Sequence, residues 1–368
     1  MNNPQHPVVI MAGGTGGHVF PALAVAERLR ARGIPVTWIG ARRGLEATLV
    51  PKAGIPMEWI EVTGLRGKGL RQRLMTPIML SKALWQAGHI LRRLRPPVVL
   101  GMGGFASGPG GVMARVLGIP LVVHEQNAIA GMTNRWLARI ARRVLQAFPG
   151  TFPPARQAVT VGNPVRAVIA ELPPPAERFA GREGPRRLLI LGGSQGALAL
   201  NQLVPQALAL LANQERPDVW HQAGGQLHEA AETAYREAGV TARLTPFIED
   251  MAEAYGWADL VLCRSGALTI AELAATGVGA ILVPFPFAVD DHQTANAHYL
   301  ERDGAALICQ QAALTAERLA ALLKELLADS ERLLRMAETA RSLAKVDAAE
   351  QVALACLDCA AHPMTTPH

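Results

Sequence analysis

The sequence predicts an α/β protein made of two Rossmann-like domains whose parallel sheets face each other across a cleft. Three observations carry that expectation. Short apolar runs alternate with amphipathic stretches along the whole chain, as a parallel sheet covered by helices on both faces requires. The two halves open alike: VVIMAGGTGGHVFPALAVAERL at 8–29 and LLILGGSQGALALNQLVPQAL at 188–208 are each a strand, a glycine-rich turn and an amphipathic helix. At 368 residues the chain is also long enough for about two domains.

Taken in order, the strands expected in the first half are 8–11, 36–39, 57–60, 98–100, 121–123, 144–146 and 158–161. The run Leu172-Pro173-Pro174-Pro175 and the basic, glycine-containing stretch up to Arg187 read as a domain linker. Strands then resume at 188–191, 219–221, 242–245, 260–262, 280–283 and 306–308, and two helical stretches, about 314–327 and 330–361, close the chain.

Half of the residues are apolar and 18% are charged, which suits a soluble globular protein with a sizeable core. No signal peptide is expected, and the apolar stretch 273–289 is too short and too interrupted by glycine and proline to span a bilayer. Four cysteines in a chain this long do not form a disulfide framework; Cys356-Leu357-Asp358-Cys359, lacking a βαβ context, reads as helix packing. Charge is unevenly divided. Residues 1–170 hold 21 basic against 5 acidic residues, and residues 171–368 hold 15 against 25, so the first half is suited to an anionic partner.

A strand that ends in glycines and hands over to a helix offers backbone N–H groups at the positive end of the helix dipole, where phosphate oxygens fit. Packing alone would explain one such loop. This chain has three, at 13–17, 101–111 and 192–196. A dinucleotide fits poorly, because the first loop departs from G-x-G-x-x-G and Trp38-Ile39-Gly40-Ala41-Arg42-Arg43 brings no acid to a ribose diol. In the acidic half, Arg264-Ser265-Gly266-Ala267-Leu268-Thr269-Ile270-Ala271-Glu272 follows the strand 260–262. A helix starting at Ser265 and Gly266, with Glu272 on its second turn, describes a subsite for a nucleotide diphosphate, and Asp290-Asp291-His292-Gln293-Thr294-Ala295-Asn296 adds side chains suited to a sugar.

Together GGTGGHVFP, GMGGFASGPGG, HEQNAIAG, GNPVR, GGSQGA, PFIEDM, RSGALTIAEL and DDHQTANA resemble the MurG family of peptidoglycan N-acetylglucosaminyltransferases, inverting enzymes of the GT-B fold. The match runs from about residue 7 to about residue 357. The resemblance implies UDP-GlcNAc as donor, lipid I (undecaprenyl-diphospho-MurNAc-pentapeptide) as acceptor and lipid II, with a β-1,4 link, as product. It implies that Thr15, Gly16 and Gly17 line the donor sugar and diphosphate region, with Asn127 near the GlcNAc and Arg166 reaching the donor, and Gly103 and Gly104 of the third glycine loop are expected to bind substrate as well. Ser194 and Gln195 would meet phosphate, the Ile248 backbone the uracil, Ala267, Leu268, Thr269, Ile270, Ala271 and Glu272 the diphosphate and ribose, and Gln293 and Asn296 the sugar. It also implies that the last helix returns to the first domain, giving domains of 1–164 plus about 341–368, and 165–340.

Inversion needs a base for the MurNAc 4-hydroxyl. His18, one residue beyond the glycines, is the candidate, with His124 and Glu125 as rival base or orienting pair. No Asp-x-Asp motif accompanies the donor segments, so no metal or other cofactor is expected. Residues 62–95 interleave apolar residues with eight basic ones and no acid, the composition of an element that docks reversibly on an anionic membrane surface at the cytoplasmic face of the bacterial inner membrane. The partners expected are therefore the two substrates and that surface, with room for other cell-wall enzymes and none for nucleic acid. Two alternatives stay open: another GT-B transferase with a soluble acceptor, and a nucleotide-sugar binding protein that needs no base.

Overall fold

The computed structural model of the chain describes residues 6–62, 70–193 and 196–362, apart from the side chains of residues 70–76 and Val289. They form two compact units, Met1–Arg166 with Val346–His368, and Ala167–Lys345.

The first unit runs β1 (Val8–Met11), α1 (Gly16–Ala31), β2 (Val36–Gly40), α2 (Glu46–Lys52), β3 (Met57–Trp59), α3 (Leu70–Leu94), β4 (Val99–Gly101), α4 (Ser107–Val116), β5 (Leu121–Glu125), α5 (Met132–Leu137), β6 (Arg143–Gln146) and β7 (Val159–Thr160). Its seven strands are all parallel, in the order β3-β2-β1-β4-β5-β6-β7. Successive side chains of a strand face opposite sides. Val8 and Ile10 accordingly enter the core formed with α1, and Val9 and Met11 the core formed with α3 and α4.

The second unit runs α6 (Ala167–Ala170), α7 (Pro175–Phe179), β8 (Arg187–Leu191), α8 (Leu198–Ala209), β9 (Asp218–Gln222), α9 (His228–Glu237), β10 (Arg243–Thr245), α10 (Met251–Trp257), β11 (Leu260–Cys263), α11 (Ala267–Thr276), β12 (Gly279–Leu282), α12 (His292–Glu301), β13 (Ala306–Ile308), α13 (Ala316–Ala328) and α14 (Ser330–Ser342). Its sheet is also wholly parallel, β10-β9-β8-β11-β12-β13.

Two expectations change. The stretch 330–361 is two helices, α14 and α15 (Ala348–Ala361), because the chain leaves the second unit between them. Helix α15 belongs to the first unit and packs on α1; Cys356 and Cys359 are buried, unpaired thiols in that core. Residues 172–187 are not a linker but part of the second unit. Arg178 donates to the carbonyls of Tyr255, Thr276 and Gly277, which end α10 and α11. Arg182 donates to the Gly256 and Trp257 carbonyls and pairs with buried Asp259. Burial, with Arg182 and Arg341 nearby, lowers the Arg178 guanidinium to about 10.

Candidate active site

In an open parallel sheet a ligand crevice forms where the strand order reverses, at the carboxyl ends of the two strands that diverge there. Those strands are β1 and β4 in the first unit and β8 and β11 in the second. The glycine loops follow β1, β4 and β8, and the Ser265-Gly266 turn follows β11, so each switch point is lined by two of these turns.

In the first unit the loops after β1 and β4 touch. Gly104 has φ +82°, and a β-carbon there would collide with the Gly13 carbonyl oxygen, so only glycine fits. Ser107 Oγ donates to the carbonyls of Met11 (2.8 Å) and Gly103 (2.7 Å), tying the loops together. Buried Glu46 orders the other side, accepting from the amides of Gly14 (2.9 Å) and Ala41 (3.3 Å). Glu46 belongs to no motif in the sequence. Its signal was its place as the first acid after the strand 36–39, and its carboxylate is spent on the loop rather than on a ribose.

Helix α1 starts at Gly16 with Thr15 as N-cap, whose side chain makes no capping bond. The Thr15 carbonyl accepts from the amides of His18 and Val19. His18, half-buried, lies against Gly103, whose added β-carbon would stand 2.9 Å from its Cε1. Its Nδ1 is 2.9 Å from Gln126 Oε1, Gln126 Nε2 is 3.1 Å from His124 Nδ1, and His124 Nε2 is 2.9 Å from the Gly162 carbonyl. The Asn163 amide donates to the Gln126 carbonyl (3.0 Å).

Of the three candidate bases, only His18 reaches the surface. His124 and Glu125 end β5 fully buried. Burial pushes His124 down to about 4, against the pull of Gly162 and Glu125, so it is neutral at physiological pH. Glu125 Oε1 accepts from the Asn127 amide (2.9 Å) and side chain (3.2 Å), and Oε2 from Gly131 N (3.1 Å) and Asn134 Nδ2 (2.9 Å). This carboxylate is a staple for the loop 126–131, so of the two roles expected of His124 and Glu125, rival base or orienting pair, their burial fits the orienting one. Arg166 stacks its guanidinium over Phe20 of α1, 5.5 Å from the ring centroid.

In the second unit, Gly193 and Gly196 take positive φ, and a β-carbon on Gly196 would collide with the Ala223 carbonyl. Ser194 and Gln195, expected at phosphate, lie outside the described residues. Gly266 caps α11, and Ser265 Oγ ahead of it is buried with no hydrogen-bond partner among the described residues. Ala267, Ile270 and Glu272 are buried; Leu268, Thr269 and Ala271 are half-buried. Glu272 Oε2 accepts from Tyr255 Oη at 3.1 Å, a partner that no local pattern in the sequence signals. Asn296 is buried and its side-chain amide donates to the Ser265 carbonyl (3.2 Å), in the turn before α11. Gln293 accepts from Phe285 N (2.9 Å), and Ile248, 3% exposed, lies between β10 and α10.

Comparison with known proteins agrees along the length of the chain. Residues 8–146 match the model of the glycosyltransferase family 28 N-terminal domain and residues 187–352 that of the C-terminal domain. The chain is 60% identical over 353 residues, 96% of its length and 98% of the relative's, to the UDP-N-acetylglucosamine--N-acetylmuramyl-(pentapeptide) pyrophosphoryl-undecaprenol N-acetylglucosamine transferase of Nitrosococcus oceani. It is equally similar (60%, 96% and 98% covered) to the protein of that name from Alkalilimnicola ehrlichii. Among solved structures it resembles Acinetobacter baumannii MurG, with a TM-score of 0.83, 42% identity, and coverage of 96% and 100% of the two chains.

Proposed function

The chain belongs to glycosyltransferase family 28, and from that membership and its site we infer the reaction it performs. It transfers GlcNAc from UDP-GlcNAc, with inversion, to the MurNAc 4-hydroxyl of undecaprenyl-diphospho-MurNAc-pentapeptide, making lipid II for peptidoglycan synthesis. One observation carries the reading to the residues: a histidine held at the glycine loops of the first unit, and a helix N-terminus with a buried carboxylate one turn on in the second.

In this reading the α11 N-terminus and Ser265 receive the diphosphate, the Ile248 backbone reads the uracil and Glu272 holds the ribose hydroxyls. The C1–O bond to UDP breaks as negative charge grows on the diphosphate. Preorganised N–H dipoles and the Arg166 guanidinium stabilise that charge, a single donor of this kind contributing about 3 kcal/mol. The acceptor O4 attacks C1 from the opposite face and passes its proton to His18. Glu125 and His124 serve by holding the loop and the ring beside them. Thr15, Gly16, Gly17, Gly103 and Gly104 give the acceptor diphosphate and sugar close access to backbone, with Asn127 beside the transferred GlcNAc.

The acceptor is a lipid, and among the described residues no helix is long and apolar enough to cross a membrane. Peripheral attachment at the cytoplasmic face of the inner membrane fits both facts, and α3 supplies the surface for it: Ile78, Lys82, Trp85, His89 and Arg92 form one exposed stripe at helical spacing. The reading is tested by incubating the protein with radiolabelled UDP-GlcNAc and a short-chain lipid I analogue. Label must enter the lipid; label found only in a soluble sugar product, or only in bound UDP-GlcNAc, would overturn it.

A further inference from the structure

The hydrogen-bond chain behind His18 has one consistent assignment of protons, and it starts at a backbone carbonyl. The Gly162 oxygen can only accept, so His124 carries its proton on Nε2. His124 is fully buried and neutral, which leaves Nδ1 as a lone pair. That lone pair accepts a hydrogen bond from the Gln126 side-chain NH2, which sets the NH2 toward His124 and the carbonyl oxygen toward His18. An amide oxygen accepts only, so the ring nitrogen of His18 that meets it must be Nδ1–H.

We propose that Gln126 and His124 are positioning residues that lock His18 in the Nδ1–H tautomer and leave Nε2 as its lone-pair nitrogen. This rests on the reading of His18 as the base: a ring free to carry its proton on either nitrogen would present an N–H to the acceptor hydroxyl part of the time, and that form removes no proton. The relay lies wholly within the first unit. Gln126 is itself 1% exposed, and its Nε2 also donates to the His124 backbone carbonyl (3.3 Å), which keeps the NH2 end of the side chain toward His124. Gly103 lies against the imidazole from the β4 side. Through these contacts a carbonyl beyond β7 dictates which nitrogen of an α1 histidine is basic.

The test is ¹⁵N NMR of the full chain labelled at histidine, with the His18 resonances identified by their loss in His18→Ala. The lock requires a protonated Nδ1 and bare Nε2 on His18, and the reverse on His124. In Gln126→Met the His18 tautomer becomes mixed and kcat falls roughly tenfold or more, within the 10²–10⁴ ceiling of general-base catalysis, while KM for UDP-GlcNAc holds. Gln126→Glu keeps an acceptor on Nδ1–H and retains the tautomer, and its charge moves the acid limb of the kcat profile to higher pH. A wild-type His18 protonated at Nε2, or a Gln126→Met enzyme with unchanged tautomer and kcat, overturns the proposal. The NMR result does not depend on turnover, so normal activity in His18→Ala alongside an intact lock would refute the base and not the relay.

Discussion

Tyr255 donates its hydroxyl proton to Glu272 across 3.1 Å, joining two buried side chains from successive helices of the second unit. The bond holds the carboxylate in place from the α10 side. A hydrogen bond to a charged group contributes about 1.5–3 kcal/mol, so Glu272→Ala should weaken UDP binding by one to two orders of magnitude. Tyr255→Phe should weaken it less, since the carboxylate stays and only its aim is lost. Titration calorimetry on folded variants decides: unchanged UDP affinity in Glu272→Ala removes Glu272 from the ribose.

His18 and Glu125 are separable by what they break. His18→Ala should lower kcat by roughly 10²–10⁴-fold with UDP affinity intact. Glu125→Gln replaces an acceptor of four bonds by a group that can accept at only one end. That should cost on the order of 3 kcal/mol of stability and roughly 5–10 °C in Tm. Full thermal stability in Glu125→Gln combined with collapsed turnover would return the base role to Glu125.

All thirteen strands among the described residues were readable because a doubly covered parallel sheet writes each strand as a short apolar run between turn signals. The polar end of β5 was not. His124, Glu125 and Gln126 look like the start of a loop, and only partners brought from Gly162, Asn134 and α1 make their burial tolerable. The segment 172–187 misled for the same reason. Its prolines and glycines signal irregular chain correctly, but nothing local says that Arg178 and Arg182 bind carbonyls 70 or more residues away. His18, Glu272 and the glycine loops were legible as chemistry at a strand end; Tyr255, Gln126 and Glu46 act through other residues and leave no local pattern.

Gly103 and Gly118 give a matched pair. Both hold positive φ, +90° and +70°, so alanine at either strains the backbone by about 1–2 kcal/mol. They differ in space: a β-carbon on Gly118 meets nothing within 4 Å, and one on Gly103 presses on His18 at 2.9 Å. Gly103→Ala should therefore lower kcat tenfold or more by shifting the imidazole, and Gly118→Ala should lose stability alone. Equal kcat in the two variants would show that the His18 ring has room to spare.

Burial lowers His124 to about 4 and His221, in the second unit, to about 3. Their folded values lie below the ordinary 6.5, so as pH falls the unfolded chain takes up protons that the native one refuses, and stability present above about 6.5 is lost toward 4. By pH 5, before most carboxylates titrate, each unit should have lost about 2 kcal/mol. Denaturant unfolding at pH 7 and pH 5 measures this. Equal stability at the two pH values, or ring signals of His124 and His221 that titrate between them, would contradict it.

The last expectation concerns the membrane. Helix α3 turns Ala83, Ala87, Ile90 and Leu91 into the core, and its opposite face leaves Ile78 68% and Trp85 69% exposed with Lys82, His89 and Arg92 in the same stripe. Lys82 pairs with Glu61 at an exposed site, a bond that solvent keeps weak, so the amine remains open to lipid phosphate. In the sequence Arg66, Lys68, Arg71 and Arg73 continue the basic run; residues 63–69 and the side chains of 70–76 lie outside the described residues. A tryptophan and an isoleucine ringed by bases suit an interface in which apolar groups enter the acyl boundary and each base near an anionic leaflet adds about 1 kcal/mol. Binding should then need both contributions. In co-sedimentation the protein should favour vesicles containing anionic lipid over neutral ones, lose most of that preference in high salt, and bind poorly as Ile78→Glu with Trp85→Glu even at low salt. Because the substitutions sit on the exposed face, turnover of a soluble, short-chain acceptor should survive them. Equal binding to both kinds of vesicle, indifferent to salt and to the double substitution, would exclude α3 as the docking surface.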